Sequence, residues 1–315
     1  MSTANAAAGT RADAGASYYG QPIIKSPVWT AEIPAYFFFG GLAGASAGLA
    51  YLSGEGPLAR RAWATALAGI GVSAPLLIAD LGVPTRFLHM LRMVKVTSPM
   101  SVGTWILTGF GAATTGAAAH ALTGRLPRTG AACRPAAALL GLPLSTYTGA
   151  LLAQTSVPVW HEARHHLPVV FAAGAALSAG AAATALTSPE HAAPARRLTL
   201  LGAVAELASV HVMERRLGEL GEVYRGGQAA TFKRLADGLV AAGAVTVAAS
   251  GCRSRPAAIA GASAVLAGAA CERYSIFRAG FQSAADPKYV VGPQRARIAA
   301  GKSRGASRKA ADTSS

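Results

Sequence analysis

Residues 80–107 read Asp80-Leu-Gly-Val-Pro84-Thr-Arg86-Phe-Leu-His-Met-Leu-Arg92-Met-Val-Lys95-Val-Thr-Ser98-Pro-Met-Ser-Val-Gly103-Thr-Trp105-Ile-Leu107. An apolar run ends at Asp80, a basic connector carries Arg86, Arg92 and Lys95, and Ser98-Pro99 launches a second apolar run. Pro99 suits the first turn of a helix, where its missing N–H costs nothing, and Ser98 is placed to cap that helix. Phe87, Met90, Leu91 and Val94 recur at helical spacing with Arg86, His89, Arg92 and Lys95 between them. That spacing fits a short helix in the headgroup layer, a helix gripping a partner, or an ordinary basic loop.

Outward from this stretch the chain is mostly apolar. It has 315 residues, 52% hydrophobic and 14% charged, where a soluble domain carries about 25% charged residues. Uncharged runs cover 33–54, 62–79, 96–124, 135–160, 167–189, 238–252 and 256–271. An eighth apolar segment, 198–213, is interrupted by Glu206 and His211. A membrane-crossing helix needs roughly 20 apolar residues, so the first five runs suffice and the last two borrow flanking residues such as the stems of Lys233 and Arg253. The reading is an all-α integral membrane protein with eight transmembrane helices, at about 33–54, 62–80, 100–122, 136–154, 166–187, 197–214, 235–251 and 256–272.

The net charge of +15 fits loops and a tail facing anionic lipid better than nucleic acid, which is not expected as a partner. With eight spans, the two termini and the second, fourth and sixth loops share one side and hold 20 of the 29 Lys and Arg residues, which puts both termini in the cytoplasm. Residues 1–17 are polar and Ala/Gly-rich, with no apolar core. They are expected to be a disordered tail, leaving the first span as its own uncleaved insertion signal. Residues 18–285 form the membrane domain and 286–315 a basic disordered tail. Cys133, Cys252 and Cys271 are widely separated. An iron–sulfur cluster normally needs four thiolates, so neither a cluster nor a structural zinc site is expected.

Within the first span, Gly40, Gly44 and Gly48 recur every four residues and place three bare patches on one face for a close helix neighbour. Trp29 is expected in the interfacial aromatic belt, and Glu32 and Pro34 open the first helix. The candidate chemistry lies in polar groups at membrane depth, which are costly there. Glu206, near the middle of its span, must be protonated, paired or facing water. Asp80, near a helix end, has Arg86 and Arg92 as simple ion-pair partners. Tyr147 is either an interface anchor or a hydrogen-bond donor to a carbonyl of a lipid-soluble ligand. His161 and His165 lie four apart, but Arg164 between them opposes a cation, so no metal is assigned. His120 and His211 lie near span ends, a poor pattern for haem. Under the eight-span topology, residues 18–34, 80–101, 147–166 and 206–225 share one side, as a polar face suited to a lipid-soluble ligand below and a protein partner above.

Several of these blocks resemble the NrfD/PsrC family, the membrane subunits of polysulfide reductase, nitrite reductase and formate dehydrogenase-type complexes of anaerobic respiration. They are Pro27-Val-Trp29-Thr-Ala-Glu32-Ile-Pro34-Ala-Tyr36, Asp80-Leu-Gly82-x-Pro84-x-Arg86-Phe, Ser98-Pro-Met-Ser-x-Gly103-x-Trp105, Tyr147-Thr-Gly149, Pro158-Val-Trp160-His-Glu-Ala-Arg and Met213-Glu-Arg-Arg-Leu-Gly218. The resemblance runs from about residue 18 to 285. It implies two four-helix bundles in a bacterial cytoplasmic membrane, with no haem or iron–sulfur cluster in this chain. It implies electron exchange between the quinone pool, menaquinone or ubiquinone, and a docked ferredoxin-like iron–sulfur subunit that serves a molybdenum- or tungsten-pterin catalytic subunit. Tyr147 matches the family's quinone-contacting tyrosine, and Trp29, Glu32, Asp80, Arg86 and Ser98 are its inferred neighbours. Asp80, Glu206 and His161 are candidates to relay protons; His161 stands where family members often carry asparagine. The competing reading is a transporter or proton-conducting protein that uses Glu206.

Overall fold

The computed structural model describes residues 23–92, 94–251 and 253–292. The expected 1–17 tail and residues 293–315 lie outside the described residues. Among the described residues there is helix and turn but no strand. The helices are α1 (Glu32–Leu52), α2 (Pro57–Asp80), α3 (Arg86–Leu91), α4 (Pro99–Thr123), α5 (Pro127–Ala153), α6 (Pro158–Glu162), α7 (Leu167–Leu186), α8 (Ala193–Leu217), α9 (Gly227–Ser250) and α10 (Arg255–Ala285). Two 3₁₀ segments, Ala163–His165 and Gly218–Arg225, follow α6 and α8.

Prolines punctuate this layout. Seven of the helices carry one in their first two positions, where a fixed φ and a missing donor cost least. At the far end of α4, Gly124 closes the helix with a left-handed φ of 71°. Four helices, α1, α2, α5 and α7, are long and apolar enough to cross a membrane by length and composition. The other four long ones, α4, α8, α9 and α10, are 24 to 31 residues. Gly and Thr dilute the first of these, and charged residues dilute the rest.

Charge proved a poor stop signal. The expected last span ends at 272, yet α10 continues to Ala285, and α9 begins at Gly227 rather than 235. In both places the charged side chains find partners inside the chain, so the helix has no reason to end there. The stretch 218–225, part of the expected polar face, is a 3₁₀ segment that buries Leu220, Gly221, Val223 and Tyr224. Among the described residues of the basic connector only the six of α3 are helical, and none of these is buried.

In the first half of the chain α1 packs on α2 and α5, and α4 packs on α2 and α5; in the second, α7 packs on α8 and α10, and α9 on α8 and α10. The halves meet mainly where α7 and α10 lie against α1, and where α5 touches α7. Phe37, Trp63, Phe110, Leu144, Trp160, Phe171 and Ile276 are buried in one continuous core. After α10 the chain turns back. Lys288 donates from Nζ to Glu222 Oε2 at 2.7 Å, and Tyr289 rests on the core. That bond holds the Glu222 carboxyl below the usual carboxylate range and the Lys288 ammonium above its own.

The expected glycine stripe on α1 is only partly used. A Cβ on Gly44 would stand 2.6 Å from the Gly141 carbonyl oxygen, so the α1 and α5 backbones are in direct contact there. Gly40 faces the Ser73 hydroxyl, with 3.2 Å for an added Cβ, while Gly48 faces open space. Gly44→Leu is therefore expected to force the two backbones apart, lowering the yield of folded protein and its melting temperature in mild detergent. Gly48→Leu should leave both unchanged. Equal damage from the two substitutions would contradict the α1–α5 contact.

Candidate functional site

At one end of the helices the segment 23–31 runs extended across the molecule and is fastened at three points. The Trp29 ring stacks on Trp160 with centroids 5.5 Å apart and planes at 24°. The Thr30 backbone N–H and hydroxyl both donate to Asp80 Oδ1, at 3.0 and 2.7 Å. The Tyr274 hydroxyl donates to the Ala31 carbonyl at 3.0 Å. The strap thus ties the C-terminal end of α2 to α6 and α10. Trp160 is fully buried, donates from Nε1 to the Ile276 carbonyl at 2.8 Å, and lies flat where Gly280 has no side chain.

This geometry corrects the expected pairing of Asp80. Its partner is Thr30 rather than Arg86 or Arg92. Two donors preset by the strap meet one carboxylate, while both arginines remain exposed and keep their hydration. Glu32 is exposed on the first residue of α1, and Arg86 is exposed on the first residue of α3. Ser98 occupies the capping position of α4 with extended backbone, but its side chain makes no cap bond. The nearby hydroxyl in use is that of Ser101, which accepts from the Lys95 N–H at 3.0 Å.

Tyr147 is half-buried on α5. Its hydroxyl donates to the Pro99 carbonyl at 2.7 Å, and its ring lies on Gly103, where any side chain would collide with it. The same two turns of α4 border an apolar cavity of about 400 Å³, lined by Val94, Lys95, Val96, Val102, Trp105 and Leu140 among others. A larger cavity of about 760 Å³ opens between α5, α6 and the turn after α10, with Ile24, Gln154, His161, His165, Leu220 and Tyr289 on its walls. Four stretches that are remote in sequence therefore converge on one face: the strap, the α2–α4 connector, the α5–α7 connector and the segment after α8.

Glu206 stands apart from this face. It is 2% exposed, with Oε1 3.8 Å from Nη1 of Arg273, itself 3% exposed. Arg273 also donates from Nη2 to the Phe171 carbonyl at 3.2 Å, and its guanidinium lies 4.3 Å from the centre of the Phe171 ring. Glu272 is buried as deeply as Glu206. Gly174 on α7 makes the room, because a Cβ there would collide with both Arg273 and Glu206. Nearer the strap-bearing face, Lys233 Nζ lies 3.2 Å from Glu214 Oε1 and 2.5 Å from Asp237 Oδ2. Sequence reasoning missed Glu272, Arg273, Lys233 and Asp237 as a cluster, because it treated them as the edges of two separate spans: Asp237 and Glu272 fell at the ends of the expected spans, and Lys233 and Arg273 just outside them. One available signal was that small residues go on at helical spacing beyond Glu272, at Ser275, Ala279, Gly280 and Ser283.

Long apolar helices carrying buried polar groups, with a polar face at one end, define a multi-pass, all-helical membrane protein. The chain matches the family model for polysulfide reductase, NrfD type, over residues 16–286, and it belongs to that family. Membership makes it a membrane-embedded subunit of a polysulfide-reductase-like oxidoreductase complex. No curated protein matches the chain.

The Thr30–Asp80 fastening should behave as one unit. Thr30→Val and Asp80→Ala are each expected to speed proteolysis within residues 23–31 and to cost about 1 kcal/mol in stability, since the bond is charge-assisted but exposed. The double variant should cost little more than Asp80→Ala alone, which already removes both bonds from Thr30. Strictly additive losses would show that the two residues do not act on each other.

Proposed function

We propose that this chain is the quinone-reactive anchor of its complex. In this reading all eight long helices cross a bacterial cytoplasmic membrane as two four-helix bundles, α1, α2, α4 and α5 in one and α7 to α10 in the other, with both termini cytoplasmic. The closed succession of helix contacts within each half supports that grouping. The proposal rests on one observation: the half-buried Tyr147 phenol sits on the α4 turns that border the apolar cavity at Val94–Val102. An apolar slot with Lys95 at its edge suits a flat, lipid-soluble carbonyl compound better than a charged metabolite.

Reducing a quinone takes two electrons and two protons. The electrons would come from an iron–sulfur subunit docked on the strap-bearing face, itself fed by a molybdenum- or tungsten-pterin subunit. Tyr147 would turn its O–H from the Pro99 carbonyl to a quinone oxygen and stabilise the negative charge that grows there. The Pro99 carbonyl lies in the first turn of α4, where an intrahelical N–H also serves it, so releasing the phenol orphans nothing. Trp29 and Asp80 hold the strap over this region. Ser98 sets the entry to α4. Glu32 and Arg86 are exposed where charge could be exchanged with a partner. Protons would enter by way of Asp80 and of His161, which faces the larger cavity beside Gln154.

A transporter with Glu206 in its pathway is the competing reading, supported by the depth of that carboxylate. Flux into liposomes that requires Glu206, with no iron–sulfur partner co-purifying, would favour it. For the anchor, Tyr147→Phe should keep the complex assembled and lower quinone turnover by roughly ten- to a hundredfold. Unchanged turnover in the purified complex would reject the assignment.

A further inference from the structure

The second half of the chain contains a charge imbalance that the quinone reading leaves unused. Glu206 on α8 and Glu272 on α10 are both 2% exposed, and a single guanidinium, Arg273, lies buried with them. The α7 wall of this site is Leu167–Leu186, which carries no charged residue. Glu206 Oε1, Glu272 Oε1 and Arg273 Nη1 are all buried without a hydrogen-bond partner. One arginine neutralises one carboxylate. A second carboxylate ionised at this depth would be an uncompensated buried charge, a state that proteins avoid by holding a proton instead.

The surrounding groups do not correct the imbalance. On α9, Lys233 is shared between Glu214 and Asp237, and Lys233 and Asp237 both lie close enough to act electrostatically on Glu272. The 3₁₀ segment after α8 contributes Tyr224, a buried phenol whose hydroxyl has no hydrogen-bond partner. His211 on α8 is exposed and acts electrostatically on Glu214. Arg278 lies five residues beyond Arg273, and six beyond Glu272 on a different face of α10.

We propose that Glu206 and Glu272, set about Arg273, form a one-proton store inside the α7–α10 half, and that Asp237, Lys233 and Glu214 connect it to the face bearing Trp29 and Tyr147. The proton belongs to the pair rather than to either carboxyl. Loading takes one proton from water at that face and removes one negative charge from the cluster; unloading returns it, and no electron moves. Glu214 lies in the last turns of α8 and Lys233 near the start of α9, towards the strap-bearing end of these helices. Asp237 lies one turn further along α9, and both it and Lys233 act electrostatically on Glu272. Gly174 keeps the store compact, since any larger residue would push Arg273 off Glu206. The store stands independently of the quinone site, which is in the other half.

Infrared spectroscopy of the full chain in lipid nanodiscs at neutral pH tests this. The expected spectrum has a carboxylic-acid C=O band that shifts in D₂O. Because one guanidinium serves two carboxylates, the band should vanish in Glu206→Gln and equally in Glu272→Gln, each of which leaves a balanced pair. Loss in only one variant would mean an ordinary protonated glutamate and would overturn the shared store, as would a wild-type chain without the band. Lys233→Met should keep the band and slow its H/D exchange several-fold; unchanged exchange would overturn the connection. If a Glu→Gln chain fails to fold, Glu206→Asp and Glu272→Asp keep both carboxyls, and each should retain the band at a shifted frequency. An unmoved band in both would place the proton elsewhere. Tyr147→Phe should leave the band untouched, which separates failure here from failure of the quinone assignment.

Discussion

Arg273 is the charge around which the second half of the molecule closes. A guanidinium at 3% exposure is tolerable only if its charge and donors are met locally. Two helices supply what it needs: α8 brings Glu206, and α7 brings the Phe171 carbonyl and ring, while Glu272 precedes it on α10 as a second buried carboxylate. The space for the contact comes from an absence, the missing side chain of Gly174. Breaking a buried pair of this kind by removing one partner typically costs about 3–5 kcal/mol, because the other charge is left behind. These ties are directional and few, so they fix how α7, α8 and α10 sit on one another more tightly than apolar contact between helices would.

The first half is held by different means. Its helices have little side-chain charge at depth and approach through small residues, most closely where Gly44 meets Gly141. Dispersion contact between backbones is the main attraction available to helices whose surroundings are as apolar as their own side chains. Such an interface is compact but carries little polar chemistry of its own. The polar groups of this half lie instead at the end, where Tyr147 meets Pro99 and Thr30 meets Asp80. The strap then spans both halves, with Trp29 stacked on an indole that is hydrogen-bonded to α10. A polar face fastened to both halves is well placed to feel a protein docked on it and to pass that contact to either half.

Much of this was legible in the chain. Uncharged runs of about twenty residues announced a helical membrane protein, and prolines at the heads of runs marked where helices begin, as Pro99 and Pro168 do. The blocks around Asp80, Ser98, Tyr147 and Trp160 pointed to one family and to one shared face. What misled was the use of charge as punctuation. In a single sequence Glu272-Arg273 looks like the edge of a membrane, because a charge exposed to lipid is prohibitive. It is no edge when the partner of Arg273 is Glu206, 67 residues earlier in the chain. Asp80 was misjudged for a related reason: the nearest cations in sequence were not its nearest donors in space.

Composition, run length and proline placement determined by themselves that this chain is a set of apolar helices with a polar end, since hydrophobicity and φ restriction are properties each residue carries locally. Tertiary structure alone decided which charges are buried, which are paired, and that Tyr147, Pro99 and Gly103 form one contact. Electrostatic and hydrogen-bond energies depend on distance through space, and in a folded bundle residues far apart along the chain stand within a few ångströms of one another.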